Sequence, residues 1–469
     1  MNNLLIMKFG GTSMGSAARI RVAAGLTAAQ QRLRPTAIVV SAMSKVTDLL
    51  LDTLRHAENN DADAIAQNVA TLRARHHDTA RELLDPAALP AAEAEIESIL
   101  AEFERIAKGM QLLGDRPPRS VDEAIAVGER LSALLIAAYL NGQGTPAAAI
   151  NSARVVITDA VHGNATPLLD LTRAKAAEHL APLLAAGTVP VLTGFNGATA
   201  DGKPTTLGRG GSDFSASIFA YALDAAELWI WTDVDGIMSA DPRLVPDAKV
   251  LDEVTYAEAA ELAYNGAKVL HPRTLAPLVE KKIPVWSKNS FNVAAKGTHI
   301  APALSTPGQG ARAVTSMANV AMVSVEPASA EIPGTRIMAR ALDALALVGA
   351  EVLTFSSSSY RQSFCFLIRK DELQVVLQAL RETLALELEH GYVRPVEVDD
   401  NVGLIAVVGE GMRGQAGLAG RVFTAVSREQ VNIIAIAQGS SELTINLVVP
   451  RSGIEKAVKA IHAECGMGR

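Results

Sequence analysis

Short apolar runs alternate with longer stretches of helical periodicity through roughly the first 300 residues of the 469-residue chain. Residues 4–9 read as a strand, followed by Gly10-Gly11-Thr12-Ser13 and a helix to about residue 33. Residues 36–41 read as a second strand, which opens into the polar segment 41–48. The span 48–112 reads as largely helical, broken at Asp85-Pro86 and Leu89-Pro90, because proline lacks the N–H a helix interior needs. A further helix fits 121–140, and strands fit 147–150 and 155–158. A helix over 172–186 leads into a strand at 189–194. The segment 205–213 then precedes a helix ending near residue 223, and a strand at 227–231 follows. This order predicts an α/β fold, a mostly parallel sheet sandwiched by helices. Ligands of such sheets sit beyond the carboxyl ends of the strands, where the polar segments fall.

The rhythm changes at 301–312, where Ala301-Pro302, Thr306-Pro307-Gly308 and Gln309-Gly310 make a turn-rich stretch. Beyond it, short strands surround single helices, and the pattern repeats at an offset of 82–83 residues. Residues 320–325 (VAMVSV) are similar to 402–408 (VGLIAVV), a helix begins near Gly334 and again near Gly417, and 356–359 parallels 439–441. Two tandem β-α-β-β-type modules account for the repeat. The expected organisation is one domain over 1–300, a linker over 301–315, and modules over 316–395 and 400–469.

Composition narrows the function. With 43 Lys+Arg against 50 Asp+Glu, the formal charge of −7 gives no general attraction to nucleic acid or anionic lipid. Two cysteines, Cys365 and Cys465, cannot build a disulfide framework or a cysteine-rich metal site, so a reducing, cytoplasmic setting is expected. The N-terminal apolar run is too short for a signal-peptide core, and no stretch approaches the ~20 apolar residues that span a bilayer. The nine histidines show no H-E-x-x-H or similar ligand spacing, so no protein-borne metal site is expected.

The candidate chemistry lies in five places. Lys8-Phe9-Gly10-Gly11-Thr12-Ser13 ends a strand with a lysine and two glycines, suited to close backbone approach by an anion; a plain tight connection is the alternative. Neither a Walker loop nor a Rossmann fingerprint is present. Gly208-Arg209-Gly210-Gly211-Ser212-Asp213 opens a helix, and capping explains Ser212 and Asp213 but not an arginine between glycines, whose fork suits a carboxylate or phosphate. Trp231-Thr232-Asp233-Val234-Asp235-Gly236 places two aspartates at a strand end, for ribose hydroxyls, for Mg²⁺ placement, or for an Asp-Gly turn. Glu129 heads an apolar helix face and can meet an ammonium or pair with Arg130, while Lys268 offers a nucleotide contact or a solvated charge.

In order along the chain these segments resemble the aspartate kinases of the amino-acid kinase family. The resemblance rests on 8–13, 40–47, Gly128-Glu129-Arg130-Leu131-Ser132, 205–213, 231–236, 241–246, 261–264 and 266–274, and on a tail similar to two ferredoxin-like, βαββαβ-type ACT modules. It implies ATP-dependent phosphorylation of the β-carboxylate of L-aspartate to 4-phospho-L-aspartate. That is the first step toward lysine and diaminopimelate, threonine and methionine. By the same resemblance Lys8 stabilises the γ-phosphoryl group, with Asp213 orienting it, and Gly10, Gly11 and Ser13 line the phosphate side. Ser41, Thr47 and Ser212 belong to the aspartate pocket, Arg209 pairs with the α-carboxylate and Glu129 receives the α-ammonium. Thr232, Asp233, Arg243 and Lys268 face ATP, whose phosphates carry Mg²⁺.

The tail implies a homodimer through the ACT modules and lysine or threonine as effector. Gln438, Ser440, Ser441 and Glu442 form the regulatory element of the second module. The first has Ser356, Ser357, Ser358 and Ser359 instead, and the repeat offset puts Ser359 where Glu442 lies, so weakened feedback is expected. With Arg469 as the last residue, the homoserine dehydrogenase fused to some relatives is not expected. The alternatives are another acyl-phosphate-forming amino-acid kinase, acting on glutamate or N-acetylglutamate, and a catalytically silent amino-acid sensor.

Overall fold

The structure, a computed structural model, describes residues 3–267, 270, 272–306, 310–329, 331–360 and 362–468. The expectations for Lys268, and the residues His271 and Arg361, lie outside the described residues. The chain divides into two compact units. The first comprises Met1–Ile237, Asp252–Tyr256 and Leu270–Ala303; the second comprises Met238–Leu251, Ala257–Val269 and Leu304–Arg469.

The first unit is built on an eight-stranded sheet. Its spatial order is Ala147–Ile150, Val189–Thr193, Thr36–Val40, Leu5–Phe9, Glu227–Thr232, Val285–Asn289, Thr298–Ala301 and Glu253–Thr255. Every neighbouring pair is parallel except Val285–Asn289 with Thr298–Ala301. The sequences LIMKF, TAIVV and VPVLT are buried at every position, as strands covered on both faces must be. Because side chains alternate, Leu5, Met7 and Phe9 share a core with the helices Ala17–Gln31, Val46–Glu58, Ala62–Leu83, Leu89–Leu113 and Val127–Gly142. Lys8 therefore belongs to the other face of its strand, the face met by the helix Gly211–Ala222.

Two local differences from the sequence reading matter for the site. The helix expected over 121–140 is two helices, Pro118–Ile125 and Val127–Gly142, joined at Ala126. The strand expected over 155–158 is only Ile157–Thr158, and it joins Asn196–Thr199 and Pro204–Thr206 in a small three-stranded sheet. That sheet delivers the chain directly into Leu207 and the glycine-rich loop.

The second unit holds two four-stranded antiparallel sheets. The first has the order Thr354–Ser357, Phe364–Arg369, Val320–Val325, Glu397–Asp399. The second has the matching order Ala435–Gln438, Thr444–Pro450, Val402–Val408, Ala313–Met317. The last strand of the second sheet therefore precedes the whole first module in sequence. Ala313–Thr315 falls within the stretch read as linker, yet it is a sheet edge, with Val314 in one core with Ile405, Val407 and Ile445. Turn residues immediately upstream hid this strand from the sequence reading.

That placement is testable. Val314 is 1% exposed. Val314→Asp puts a charge into a packed core and is expected to cost at least about 3 kcal/mol, whereas a linker position would tolerate it within about 0.5 kcal/mol. Urea denaturation of the two proteins distinguishes the outcomes.

Candidate active site

The parallel strands end where the cavity begins. Ser41 N–H donates to Phe9 O, Gly194 N–H to Val40 O and Gly10 N–H to Trp231 O, so the loops leaving four adjacent strands are held side by side. A cavity of about 420 Å³ opens there, lined by Lys8, Gly11, residues 41–45, Thr47, Asp48, Glu129, Phe195 and residues 208–213. The phosphate-like loop, the polar segment, the acidic helix start and the glycine-rich loop thus meet at one point, although they are far apart in sequence.

Lys8 and Asp213 form the charged centre. Lys8 Nζ lies 2.6 Å from Asp213 Oδ1, and their side chains are 10% and 19% exposed. Asp213 sits in the first turn of Gly211–Ala222, where the helix N-terminus favours negative charge. The pair reaches from a central strand to the helix that follows the glycine-rich loop. Gly208 and Gly210 in that loop have φ of 75° and 69°, conformations that side-chain-bearing residues rarely adopt. At Gly194 a Cβ would come within 2.8 Å of Ser212, so the glycine is what lets the helix start approach the neighbouring strand end.

Glu129 is the other anchor. It is 3% exposed, and its Oε1 accepts the Ala42 N–H at 3.1 Å. Gly128 makes this possible, since a Cβ there would lie 2.9 Å from the Ala42 Cβ. Oε2 is buried with no hydrogen-bond partner among the described residues. Burial pushes the carboxyl up to about 8, against the opposing pull of the Ala42 N–H and the Lys8 charge. A buried acid with one oxygen unanswered in a polar cavity is suited to a cationic ligand group. The alternative, a surface pairing with Arg130, does not occur; Arg130 pairs with Glu102 at 2.8 Å.

The remaining expected residues fall as follows. Ser41 and Thr47 line the cavity, Arg209 is exposed on its loop, and Ser212 lies in the first turn of the helix. Gly10 is close to Lys8, since a Cβ built on it would lie 3.4 Å from Lys8 Nζ, but Ser13 is fully buried and shares its hydroxyl with Ser290 at 2.7 Å. The Ser13 side chain is thus engaged in packing the helix entry rather than lining the phosphate side. Thr232 ends the strand paired to Leu5–Phe9 and Asp233 follows it, with Thr232 Oγ1 donating to Asp233 at 3.2 Å. Arg243 belongs to the second unit, where it forks onto Asp241 at 2.5 Å. Lys45, in the left-handed region at φ 65°, and Phe195, at φ 73°, line the cavity without having been assigned a role. The turn Gly194-Phe195-Asn196 after an apolar strand was the available signal for the latter.

In the second module a cavity of about 310 Å³ is lined by Met412, residues 414–419, Gln438, Glu442 and Ile445. Glu442 accepts the Gly414 N–H at 2.7 Å, and Ser441 O accepts from Arg413 at 3.2 Å; Ser440 is exposed. In the first module Ser356–Ser358 line a cavity of about 320 Å³, and Ser359 is exposed beside it. The counterpart of Glu442 is not Ser359. Gln362 and Glu442 each stand two residues before the equivalent strands Phe364–Arg369 and Thr444–Pro450, and both have positive φ, 54° and 56°. Gln362 accepts the Thr335 N–H at 2.7 Å, the same service Glu442 performs for Gly414. The repeat offset shortens after the helix, which is why constant spacing points to the wrong residue. The acid is still absent, but its replacement is a neutral amide in the same place.

A strand-end cavity that offers an ion-paired lysine, a glycine-rich loop with an arginine and a buried acid is chemically suited to a small ligand that carries both signs of charge. A family model described as the amino acid kinase family matches residues 3–289, and one described as an ACT domain matches residues 405–465. The aspartokinase of Schizosaccharomyces pombe is 30% identical over 98% of this chain and 92% of its own length. A structure of E. coli aspartokinase III in complex with aspartate and ADP, in its R-state, matches with a TM-score of 0.85 at 30% identity, over 98% of this chain and 99% of that one. A chloroplastic bifunctional aspartokinase/homoserine dehydrogenase of Arabidopsis thaliana is 33% identical over 99% of this chain and 51% of its own length. The chain belongs to the amino acid kinase family, in its aspartokinase branch. It spans about half the length of the bifunctional relatives it matches.

The raised Glu129 carboxyl makes a pH prediction. With its ordinary value near 4.5 lifted to about 8, the acid is neutral through most of the neutral range and becomes a partner for an ammonium only as pH rises. A ligand ammonium must therefore displace a proton, and the KM of an amino-acid substrate should fall as pH rises, by at most about ten-fold per unit, levelling near pH 8. Glu129→Gln should raise that KM and flatten its pH profile; an unchanged profile in the variant would refute the role.

Proposed function

We propose that the protein transfers the γ-phosphoryl group of ATP to the β-carboxylate of L-aspartate, giving 4-phospho-L-aspartate and ADP. The observation that carries this reading is the single cavity lined by Lys8, Glu129, Arg209 and Asp213. Glu129 and Arg209 supply opposite charges for the α-ammonium and α-carboxylate, which leaves the β-carboxylate to face Lys8. A carboxylate with a reference pKa of about 4 is already ionised at neutral pH and needs no general base. Its oxygen forms a bond to the γ-phosphorus as the bond from that phosphorus to the β–γ bridging oxygen breaks, and the electron pair leaves on ADP. No proton moves.

The obstacle is the approach of one anion to another. Lys8 offsets charge at the point of transfer, and Asp213 holds Lys8 in place, so the barrier falls through positioning and fixed charge. Mg²⁺ is assigned to the nucleotide phosphates, since no group of three His, Cys, Asp or Glu suited to a metal converges among the described residues. When bound it would neutralise phosphate charge. Thr232 and Asp233 are proposed as nucleotide contacts. Both cysteines are free, and no described helix is long and apolar enough to cross a membrane; a cytoplasmic setting is proposed. The product would feed synthesis of the lysine, threonine and methionine group, and the exposed Leu342 and Leu347 on Gly334–Leu347 support pairing of two copies through the ACT modules.

The test separates turnover from binding. Lys8→Ala should lower kcat by roughly 10²–10³-fold with little change in the aspartate KM. Arg209→Ala should raise the aspartate KM by roughly 10–100-fold with a smaller effect on kcat. Equal losses of kcat in both variants at unchanged aspartate KM would contradict the assignment.

The regulatory reading has its own test. A structure of E. coli aspartokinase III contains lysine and aspartate in its T-state. Here Gln362 occupies the place of an acid, so an effector ammonium finds no counter-charge there. Lysine and threonine titrated into the ADP-forming assay should inhibit weakly or not at all; inhibition by either at low micromolar concentration would overturn this.

A further inference from the structure

We infer that Asp122 is a positioning residue for aspartate recognition, acting through Thr206 and Gly163 on the glycine-rich loop; this rests on the kinase reading above. Asp122 belongs to the helix Pro118–Ile125 and is 1% exposed. A carboxylate that deeply placed survives only if its oxygens are occupied, and they are. Both accept the Gly163 N–H, at 3.1 and 3.0 Å. Oδ1 also takes the Thr206 hydroxyl at 2.5 Å, and Oδ2 lies 3.0 Å from His162 Nδ1. None of these groups lines the cavity, so the cluster has no part in holding substrate directly.

What it holds is the root of the loop. Thr206 ends the strand Pro204–Thr206, and the next three residues are Leu207, Gly208 and Arg209. Thr206 O accepts the Ala165 N–H at 2.8 Å, so the segment 162–165 is laced to the strand from both sides. Gly208 packs against that same segment, where a Cβ would lie only 2.6 Å from Asn164 Oδ1. Arg273 binds Asn164, Ala165 O and Leu207 O and lies over the Phe214 ring, tying the far side of the loop to the same segment.

The placement of Asp122 gives the clamp its consequence. Its helix runs through Ala126 straight into Val127–Gly142, which carries Glu129 in its first turn. One continuous piece of chain therefore presents the ammonium partner and, seven residues earlier, grips the base of the loop that presents the carboxylate partner. The separation of Glu129 and Arg209 is set by this connection. Loosening it should blur recognition of the two α-groups while leaving Lys8 and Asp213, which are joined to each other directly, able to act.

Thr206→Val keeps shape and removes the hydroxyl, and Thr206→Ser restores it. Thr206→Val is expected to raise the aspartate KM by roughly ten-fold, with kcat and the Mg-ATP KM within about two-fold, and Thr206→Ser to recover most of the loss. Asp122→Asn should give the same split, and combined with Thr206→Val it should add less than the product of the two, because both remove one bond. If Asp122→Asn fails to fold, the Thr206 pair alone decides. An unchanged aspartate KM in Thr206→Val, or a parallel loss in kcat and Mg-ATP KM that Thr206→Ser does not restore, would overturn the inference. Absence of aspartate-dependent ADP formation in the unaltered protein would instead overturn the kinase reading.

Discussion

The structure depends on one electrostatic constraint: two opposite charges, largely removed from solvent beyond the strand ends, must answer each other. The Lys8–Asp213 pair is how the fold meets it. A lone lysine at 8% exposure would carry a large desolvation cost, and a lone aspartate beside a triphosphate would repel it. Paired, they place a cation at a defined point without freeing it to wander. The parallel sheet makes this possible, because alternation puts Lys8 opposite the apolar core formed by Met7 and Phe9. The helix that begins at Gly211 then brings Asp213 over it.

The same constraint shapes the recognition groups. Glu129 is left with one oxygen unanswered and its carboxyl pushed up to about 8, a costly state that a ligand ammonium would relieve. Specificity of this kind comes from a buried group that only the right partner satisfies. The loop bearing Arg209 is held instead from beneath, by backbone N–H groups, hydroxyls and a buried carboxylate. Charge inside the cavity and hydrogen-bonded lacing outside it divide the work.

Much of this was legible in the sequence because the chemistry is local. Lys8 at a strand end, Arg209 between glycines and Glu129 after Gly128 each sit in a motif of a few residues with a physical reason. What was hidden depended on pairing between distant segments. The strand Ala313–Met317 completes a sheet whose other strands begin at residue 402, and nothing in its own residues says so. Asp122 looks like an ordinary helix acid until Gly163 and Thr206 arrive beside it. Ser13 reads as a phosphate contact from the glycine-rich segment it ends, while its hydroxyl turns to Ser290. Gln362 was missed because the two modules differ in loop length, so a fixed offset slid past it.

Hydroxylamine trapping shows whether an acyl phosphate forms on the β-carboxylate of aspartate. With Mg-ATP and L-aspartate, aspartate β-hydroxamate should accumulate in step with ADP, and no hydroxamate should form when L-glutamate or N-acetylglutamate replaces aspartate. ADP released without hydroxamate, or hydroxamate formed equally well from glutamate, would contradict that chemistry.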